Sequence, residues 1–223
     1  MPRVLSRLVL AATLAGAMGC RAPDPYYRHG QPPDATASDD VPTADAGDSG
    51  RPSVVGDCAT CAVRVDYTCR TADVDARAAS FVLDVTNQSD AKISLADLTL
   101  RYWYTSSHKP QALDCDTAKL GCANVVTSSG DASAQQPKFQ DVEPPRPLAN
   151  EYVEIAFTLG ALSLDPGLDT GDTQLRLHNA DLSAIDQSDD YSFWCSPQGV
   201  AFPSNLVTAY VRGVLVWGLE PPR

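Results

Sequence analysis

The stretch Val207-Thr-Ala-Tyr-Val-Arg-Gly-Val-Leu-Val-Trp-Gly218 decides the fold of this chain, together with the preceding loop Asp186-Gln-Ser-Asp-Asp-Tyr-Ser-Phe193. Valine and threonine dominate the first segment, and β-branched residues favour a pleated strand. A Trp-Gly pair closes it, where glycine permits a sharp corner. This order of acidic loop, β-branched run and Trp-Gly corner predicts β-structure, with residues 207–217 as one strand.

Similar short runs recur along the chain beyond Cys58. Val63, Val65 and Tyr67 alternate with polar residues, which is the period of a half-buried strand. Gly, Pro, Asn and Asp clusters separate the runs, and no long segment shows a helical apolar stripe. Residues 58–223, about 165 in all, are therefore predicted to form a single all-β sandwich. The other predicted strands are Phe81–Val85, Leu98–Tyr104, Tyr152–Phe157 and Gln174–Leu177.

The N-terminus has the features of an export signal. Arg3 and Arg7 precede the apolar run Leu8–Met18, which is too short to span a bilayer. Cys20 follows small residues, as in a bacterial lipobox, so residues 1–20 are predicted to be a signal peptide with a lipidation site at Cys20. Ordinary cleavage after Ala17 is the alternative. Both interpretations predict an exported chain, either extracellular or lipid-anchored at the bacterial cell envelope.

The segment 21–57 is rich in Pro, Asp, Ala, Ser and Gly and nearly free of large apolar residues. Such a composition cannot bury enough surface to offset the entropy of ordering, so a disordered linker is predicted. A short recognition element near Tyr26 and Tyr27 is the alternative.

The seven cysteines are an odd number for an exported chain, and lipidation of one leaves an even set. Cys115 and Cys122 are close enough in sequence to close a local loop, while the other four permit three pairings. The spacing Cys58-Ala-Thr-Cys61 also suits a redox or zinc site, but an oxidising compartment favours disulfides. The disulfide candidates are Cys58, Cys61, Cys69, Cys115, Cys122 and Cys195.

The formal net charge of −11 bears on the choice of partner. Nucleic-acid binding depends on clustered Lys and Arg, and the 17 basic residues of this chain form no run. Anionic headgroups are excluded for the same reason, so any membrane contact is expected only through the lipid anchor. Neutral glycans and divalent cations both suit an acidic exported domain.

Five segments carry a resemblance to a known family. They are Phe81-Val-Leu-Asp-Val-Thr-Asn-Gln-Ser89, Ile93-Ser-Leu-Ala-Asp-Leu-Thr-Leu-Arg-Tyr-Trp-Tyr-Thr105, Cys115-Asp-Thr-Ala-Lys-Leu-Gly-Cys-Ala-Asn-Val125, Tyr152-Val-Glu-Ile-Ala-Phe-Thr158 and the segment 186–221. Over residues 63–221 the chain resembles the family 3 carbohydrate-binding modules, which bind cellulose. The resemblance implies a nine-stranded jelly-roll β-sandwich with a flat aromatic and polar strip on one face.

The resemblance also implies which residues form that strip. Asp116, Gln174 and Arg176 match its polar members. Thr117 and Leu182 stand where cellulose binders present stacking rings, and each lost ring removes about 1–3 kcal/mol of contact with a flat ligand. The predicted carbohydrate site thus keeps its polar members and lacks two stacking platforms.

A calcium ion is the cofactor implied by the resemblance. The matching ligands are Thr105, Asp186, Asp189 and Asp190, with Ser107 in place of one family aspartate. Calcium takes six to eight oxygen ligands and tolerates irregular loops, so crowded carboxylates suit it. A solvated acidic turn is the alternative.

Two functions follow from these features. The first is a non-catalytic polysaccharide-binding module for cellulose or a related glycan, displayed at the cell surface or secreted. The second is a calcium-stabilised structural or interaction domain that kept the sandwich but lost cellulose binding. Enzyme activity is not expected, because the acids are scattered, no phosphate-binding loop occurs, and His29, His108 and His178 have neither metal nor triad spacing.

Overall fold

The structure is a computed structural model that describes residues 62–107, 109–129, 135–160, 162–196 and 199–223. These residues belong to one compact unit, Asp45–Arg223. The predicted signal peptide, lipidation site and linker lie outside the described residues, as do the disulfide candidates Cys58 and Cys61.

The regular secondary structure of the described residues is almost entirely β-strand. Two single-turn 3-10 helices lie at Leu95–Asp97 and Cys122–Asn124, and no helix of the described residues has the length and apolar character needed to cross a membrane. The strands are β1 (Val63–Cys69), β2 (Asp75–Ala76), β3 (Ala79–Asn87), β4 (Ile93–Ser94), β5 (Leu98–Tyr104), β6 (Gln111–Ala118), β7 (Lys138–Arg146), β8 (Ala149–Ala156), β9 (Ser163–Leu164), β10 (Thr173–Asn179), β11 (Ile185–Asp186), β12 (Phe202–Pro203), β13 (Thr208–Val211) and β14 (Val214–Trp217).

Two antiparallel five-stranded sheets make up the sandwich. The first sheet has the order β12-β1-β3-β10-β6, and the second has the order β14-β13-β5-β8-β7. The predicted all-β jelly-roll class is confirmed. The main sheets contain ten strands, close to the predicted nine, and the shortest of them, the two-residue β12, pairs with β1 at Asp66 and Tyr67.

The core between the sheets consists of side chains that point inward at every second position along the strands. In β3 every second side chain, from Ala79 to Asn87, is buried, and β1 buries Val63, Val65 and Tyr67 in the same way. The ring of Phe81 from the first sheet stacks on Tyr102 from the second, with centroids 4.5 Å apart. The sheets are therefore joined by interlocking apolar side chains, as the alternation in the sequence predicts.

A second apolar cluster covers part of the outer face of the second sheet. Trp103 points away from the main core, yet it is buried because Tyr191, Leu206, Val142 and Ala149 pack around it. Its indole Nε1 also donates to Thr208 Oγ1 at 2.9 Å. All three rings at 102–104 are therefore buried and contribute no exposed platform.

Residues 207–217 form a hairpin, so the prediction of one strand was wrong. Arg212 and Gly213, at φ 52° and 77°, turn the chain between β13 and β14. Two consecutive positive φ values are typical of the tight turns that join hairpin strands. At the corner that follows, a Cβ on Gly218 would lie 2.7 Å from the Val207 carbonyl oxygen, so the predicted Trp-Gly corner requires glycine.

Two disulfides lie among the described residues. Cys115 is bonded to Cys122, as the local loop predicts. Of the pairings that the sequence left open, the structure joins Cys69 at the end of β1 to Cys195.

The outer edges of the sandwich carry prolines. β7 pairs regularly with β8 only up to Asp141, then resumes at Arg146. Pro144 and Pro145 lie in the interrupted stretch, and Pro203 lies in the edge strand β12.

Candidate functional site

The outer face of the first sheet is open and polar. Its side chains alternate with the buried ones along each strand, and none of them is Phe, Tyr or Trp. These residues are Arg64, Asp66 and Thr68 on β1, Ser80, Val82, Asp84 and Thr86 on β3, Asp114, Asp116 and Thr117 on β6, and Gln174, Arg176 and His178 on β10.

Three of the predicted strip residues form one hydrogen-bonded cluster on this face. Arg176 Nε donates to Asp116 Oδ1 at 2.7 Å, and Gln174 Nε2 donates to Asp116 Oδ2 at 3.2 Å. Both carboxylate oxygens are thus engaged, while 42 % of the Arg176 side chain stays exposed. The arrangement orders the guanidinium before any ligand arrives, which reduces the entropy lost on binding.

A β-bulge turns Asp116 outward. Thr117 pairs with Gln174 and Cys115 pairs with Leu175, so Asp116 is an extra residue with no partner on β10. Bulges commonly re-aim side chains in this way. Thr117 is exposed beside the cluster, and its hydroxyl replaces the ring expected there with a smaller polar group.

Asp114 and His178 extend the cluster and were missed in the sequence. His178 Nε2 lies 3.1 Å from Asp114 Oδ2, and Arg176 lies 3.7 Å from the same oxygen. Asp114 and His178 each lie two residues from a predicted strip residue. The two-residue repeat of a strand is therefore the sequence signal that could have identified them.

Leu182 lies apart from the other predicted strip residues. It follows β10 in a turn, where its backbone N–H donates to the Asn179 carbonyl at 2.9 Å. Its φ of 59° is in the left-handed region, and 51 % of the residue is exposed. The polar cluster and Leu182 therefore mark opposite ends of the β6–β10 pair, since Thr117 pairs with Gln174 at the far end.

An acidic recess lies next to Thr117. It is lined by Asp84, Asp169 and Asp172 together with Lys119. Partial burial and the nearby charge of Asp169 raise the pKa of Asp84. No local pattern in the sequence points to this recess, because its acids come from β3 and from a loop 85 residues later.

All four predicted calcium ligands line a second pocket, at one end of the sandwich. Thr105, Asp186, Asp189 and Asp190 surround it, and Ser107 lies there too. The Thr105 amide donates to Asp190 Oδ1 at 2.9 Å, and Thr105 Oγ1 donates to the Asp189 carbonyl at 2.8 Å. The loop after β5 is thereby fastened to the acidic loop.

The expected crowding of three acids is not observed. Asp186 Oδ1 accepts hydrogen bonds from the amide and hydroxyl of Ser188, which lower the pKa of Asp186. Partial burial and the charge of Asp186 raise the pKa of Asp189. Within the described residues no group of three or more His, Cys, Asp or Glu side chains is placed to hold a metal by itself. Hydroxyl and carbonyl oxygens are needed to complete any ion site here.

An antiparallel sandwich whose first sheet carries a polar outer face is an architecture found among β-sandwich binding domains. The chain belongs to the family 3 carbohydrate-binding modules: the family model described as Cellulose binding domain matches residues 64–218. The resemblance found in the sequence is confirmed.

Individual relatives agree with this assignment. Endoglucanase 5 of Pectobacterium carotovorum subsp. carotovorum is 36 % identical over 140 residues, which are 62 % of this chain and 26 % of that protein. Cellulosomal-scaffolding protein A of Acetivibrio thermocellus is 40 % identical over 142 residues, which are 61 % of this chain and 7 % of that protein. The chain thus spans about a quarter or less of these relatives.

A solved structure shows the same fold. A biomass sensing module of Clostridium thermocellum, described as resembling the family 3 carbohydrate-binding module of the cellulosome, superimposes with a TM-score of 0.64. It is 32 % identical, and the match covers 72 % of this chain and 99 % of the module. The match therefore covers nearly the whole length of that module.

Proposed function

We propose that the chain is a non-catalytic module that binds cellulose or a related polysaccharide through the outer face of the first sheet. The observation that carries this proposal is the ordered cluster of Asp116, Gln174 and Arg176 on that open face. A flat sheet suits a ligand that is itself an extended surface or chain. No catalytic role is assigned to the chain.

The chemistry of this face favours hydrogen bonding over stacking. Sugar hydroxyls donate to carboxylate oxygens and accept from guanidinium and amide N–H groups, and hydrogen bonds to charged groups contribute about 1.5–3 kcal/mol each. Thr117 and Leu182 remain proposed members of the site, with a polar and an apolar contact at its two ends. The proposed location is outside the cell, with attachment to the envelope through Cys20.

The bare polar face also favours a second candidate. This second candidate is a domain that kept the sandwich but binds protein. It is favoured because no Phe, Tyr or Trp that could stack on sugar rings lies on the outer face of the first sheet among the described residues. Mixing the full chain with insoluble cellulose, chitin and cell-wall fractions separates the two. Retention on at least one polysaccharide supports the first function, and absence from all of them leaves the second.

Replacing Arg176 with alanine is expected to weaken binding to the retaining polysaccharide by about tenfold to a hundredfold, because a charge-assisted contact is lost and Asp116 keeps only Gln174 as a partner. Depletion isotherms on the insoluble glycan measure the change. Arg212→Ala is the matched control, since Arg212 also binds an aspartate, Asp97, but on the second sheet. Equal affinity of Arg176→Ala and the wild type would move the site elsewhere.

Calcium is proposed as a structural ion in the pocket of the acidic loop. Thr105, Asp189 and Asp190 would hold it, with Asp186 at the rim and backbone carbonyls completing the oxygen set. The donor set suits calcium because the partly buried carboxyl of Asp189 lies beside the charge of Asp186, and a cation offsets both the desolvation of Asp189 and the repulsion between the two carboxylates. The ion would supply positive charge that joins the β5 loop to the acidic loop.

Saturating calcium is expected to raise the melting temperature of the chain by about 5–10 °C relative to a chelator, since ligand at a hundredfold excess over Kd adds about 2.7 kcal/mol. Thermal melts with calcium and with chelator measure it. Asp190→Asn should lose the shift, whereas Asp165→Asn, at an exposed acid paired with Lys92, should keep it. Identical melting temperatures in the two buffers would rule out the ion.

A further inference from the structure

Arg176 does not bond closely to the acid that the strand register sets opposite it. The register pairs Arg176 of β10 with Asp114 of β6, and directly opposite side chains are the nearest neighbours across an antiparallel pair. Arg176 Nε nevertheless donates to Asp116 Oδ1 at 2.7 Å, whereas its Nη2 lies 3.7 Å from Asp114 Oδ2. The guanidinium therefore takes the diagonal acid in preference to the opposite one.

His178 holds the opposite acid. Its Nε2 lies 3.1 Å from Asp114 Oδ2, the same oxygen that faces Arg176, and its Nδ1 lies 2.8 Å from the Asn179 carbonyl oxygen. A carboxylate and a carbonyl can only accept hydrogen bonds, so the ring is fixed between them through its N–H groups. Only 8 % of His178 is exposed, so water has little access to replace these partners.

The strand register also explains why His178 reaches Asp114. The residue directly opposite His178 is Ala112, whose methyl group offers no hydrogen bond. Asp114 is the diagonal neighbour on β6, at a distance that longer side chains span. His178 and Arg176 thus each bond one position off the register, to Asp114 and to Asp116 respectively.

Two carboxylates compete for one guanidinium in this arrangement. Without the His178 ring, the charge of Asp114 would attract Arg176 from directly across the strand pair, because charge-assisted pairs form wherever geometry allows. Arg176 would then leave Asp116, which would keep only Gln174 as a partner, at 3.2 Å. The open face would lose the ordered cluster on which the proposed glycan site depends.

We propose that His178 is a positioning residue of the polysaccharide site: it occupies Asp114 and thereby holds Arg176 on Asp116, where the guanidinium faces a bound glycan. This inference rests on the proposed carbohydrate-binding function and adds to it a buried residue that acts through Asp114 without touching the ligand. The resulting chain of side chains is fixed before the glycan arrives, so less freedom is lost on binding.

Variants of the ring provide the binding test. His178→Ala is expected to weaken binding to the retaining polysaccharide by about threefold to thirtyfold, within the range of coupling between neighbours in one hydrogen-bond network. His178→Gln should recover most of the affinity, because an amide N–H can still donate to Asp114. Lys138→Ala is the control, since Lys138 also donates to a carboxylate, that of Glu154 at 2.8 Å, but on the second sheet. Melting temperatures above the assay temperature show that each variant is folded.

A second substitution separates positioning from a structural role. In the Asp114→Asn background the loss of His178 should change nothing, because a neutral amide no longer attracts Arg176 from across the pair. Asp114→Asn/His178→Ala is therefore expected to bind as tightly as Asp114→Asn alone, and more tightly than His178→Ala. A ring that only supported the fold, or that contacted the glycan itself, would lower the affinity equally in both backgrounds.

Crystal structures of the variants test the placement of Arg176 without any glycan. In His178→Ala the guanidinium is expected to lie on Asp114 and away from Asp116. In the double variant Asp114→Asn/His178→Ala it is expected to lie on Asp116 again.

The outcomes separate this inference from the function beneath it. If Arg176→Ala loses affinity while His178→Ala binds like the wild type and keeps Arg176 on Asp116, the carbohydrate site stands and the positioning role is overturned. An equal loss of affinity on removing His178 in both backgrounds also overturns that role. If the wild type binds no glycan, the carbohydrate function is overturned, whereas a guanidinium that still moves in His178→Ala supports the hold of His178 on Arg176.

Discussion

Replacing Phe81 with alanine is expected to lower the free energy of unfolding by about 3–5 kcal/mol. Phe81 is fully buried in β3 of the first sheet. Its ring lies 4.5 Å from that of Tyr102 in the second sheet, at an interplanar angle of 2°, and 6.0 Å from that of Tyr67. Truncation removes the stacking partner of both rings and leaves a cavity between the sheets, where neighbouring strands cannot collapse to fill it.

Urea denaturation of the wild type and the variant measures this change. Val82→Ala is the control, because Val82 is the next residue of the same strand but faces the outside of the first sheet. We expect Val82→Ala to lose less than about 1 kcal/mol. Similar losses in the two variants would show that the ring stack between the sheets contributes nothing special to stability.

Removing the disulfide between Cys69 and Cys195 is expected to have a comparable effect. The bond joins residues 126 positions apart, and the chain-entropy estimate for a loop of that size is about 5 kcal/mol. The bond between Cys115 and Cys122 spans 7 positions, for which the same estimate gives about 2.5 kcal/mol. The double variant Cys69→Ala/Cys195→Ala should therefore be the less stable of the two double variants.

The matched comparison is Cys69→Ala/Cys195→Ala against Cys115→Ala/Cys122→Ala, with chemical denaturation of each. A difference of about 2.5 kcal/mol in the free energy of unfolding is expected. If the short-loop variant is as unstable as the long-loop variant, loop length does not decide the contribution of these bonds.

Much of the fold was predictable because its signals are local. Alternation in β1 and β3 marks the inward face directly, since a strand repeats every two residues. The Arg212-Gly213 turn was missed because β-branched and aromatic residues occur on both sides of it, so the hairpin resembles one long strand. The burial of Trp103 was equally hidden, because Tyr191 and Leu206, which cover it, are far along the chain.

The sequence predicted the polar residues of the candidate site but not how these residues are arranged in space. Asp116, Gln174 and Arg176 were identified by resemblance, and the structure brings them together. The bulge at Asp116 and the pairing of Cys69 with Cys195 depend on contacts between distant segments, which no sequence window contains.

The prolines on the sheet edges affect whether copies of this chain associate with one another through their edge strands. An outer strand with free amide and carbonyl groups invites a strand from another molecule, which starts sheet polymerisation. Pro144 and Pro145 of β7 have no amide hydrogen to offer, and β12 is only two residues long and includes Pro203. Strand-to-strand polymerisation through these two edges is therefore disfavoured, even where copies of the chain are concentrated.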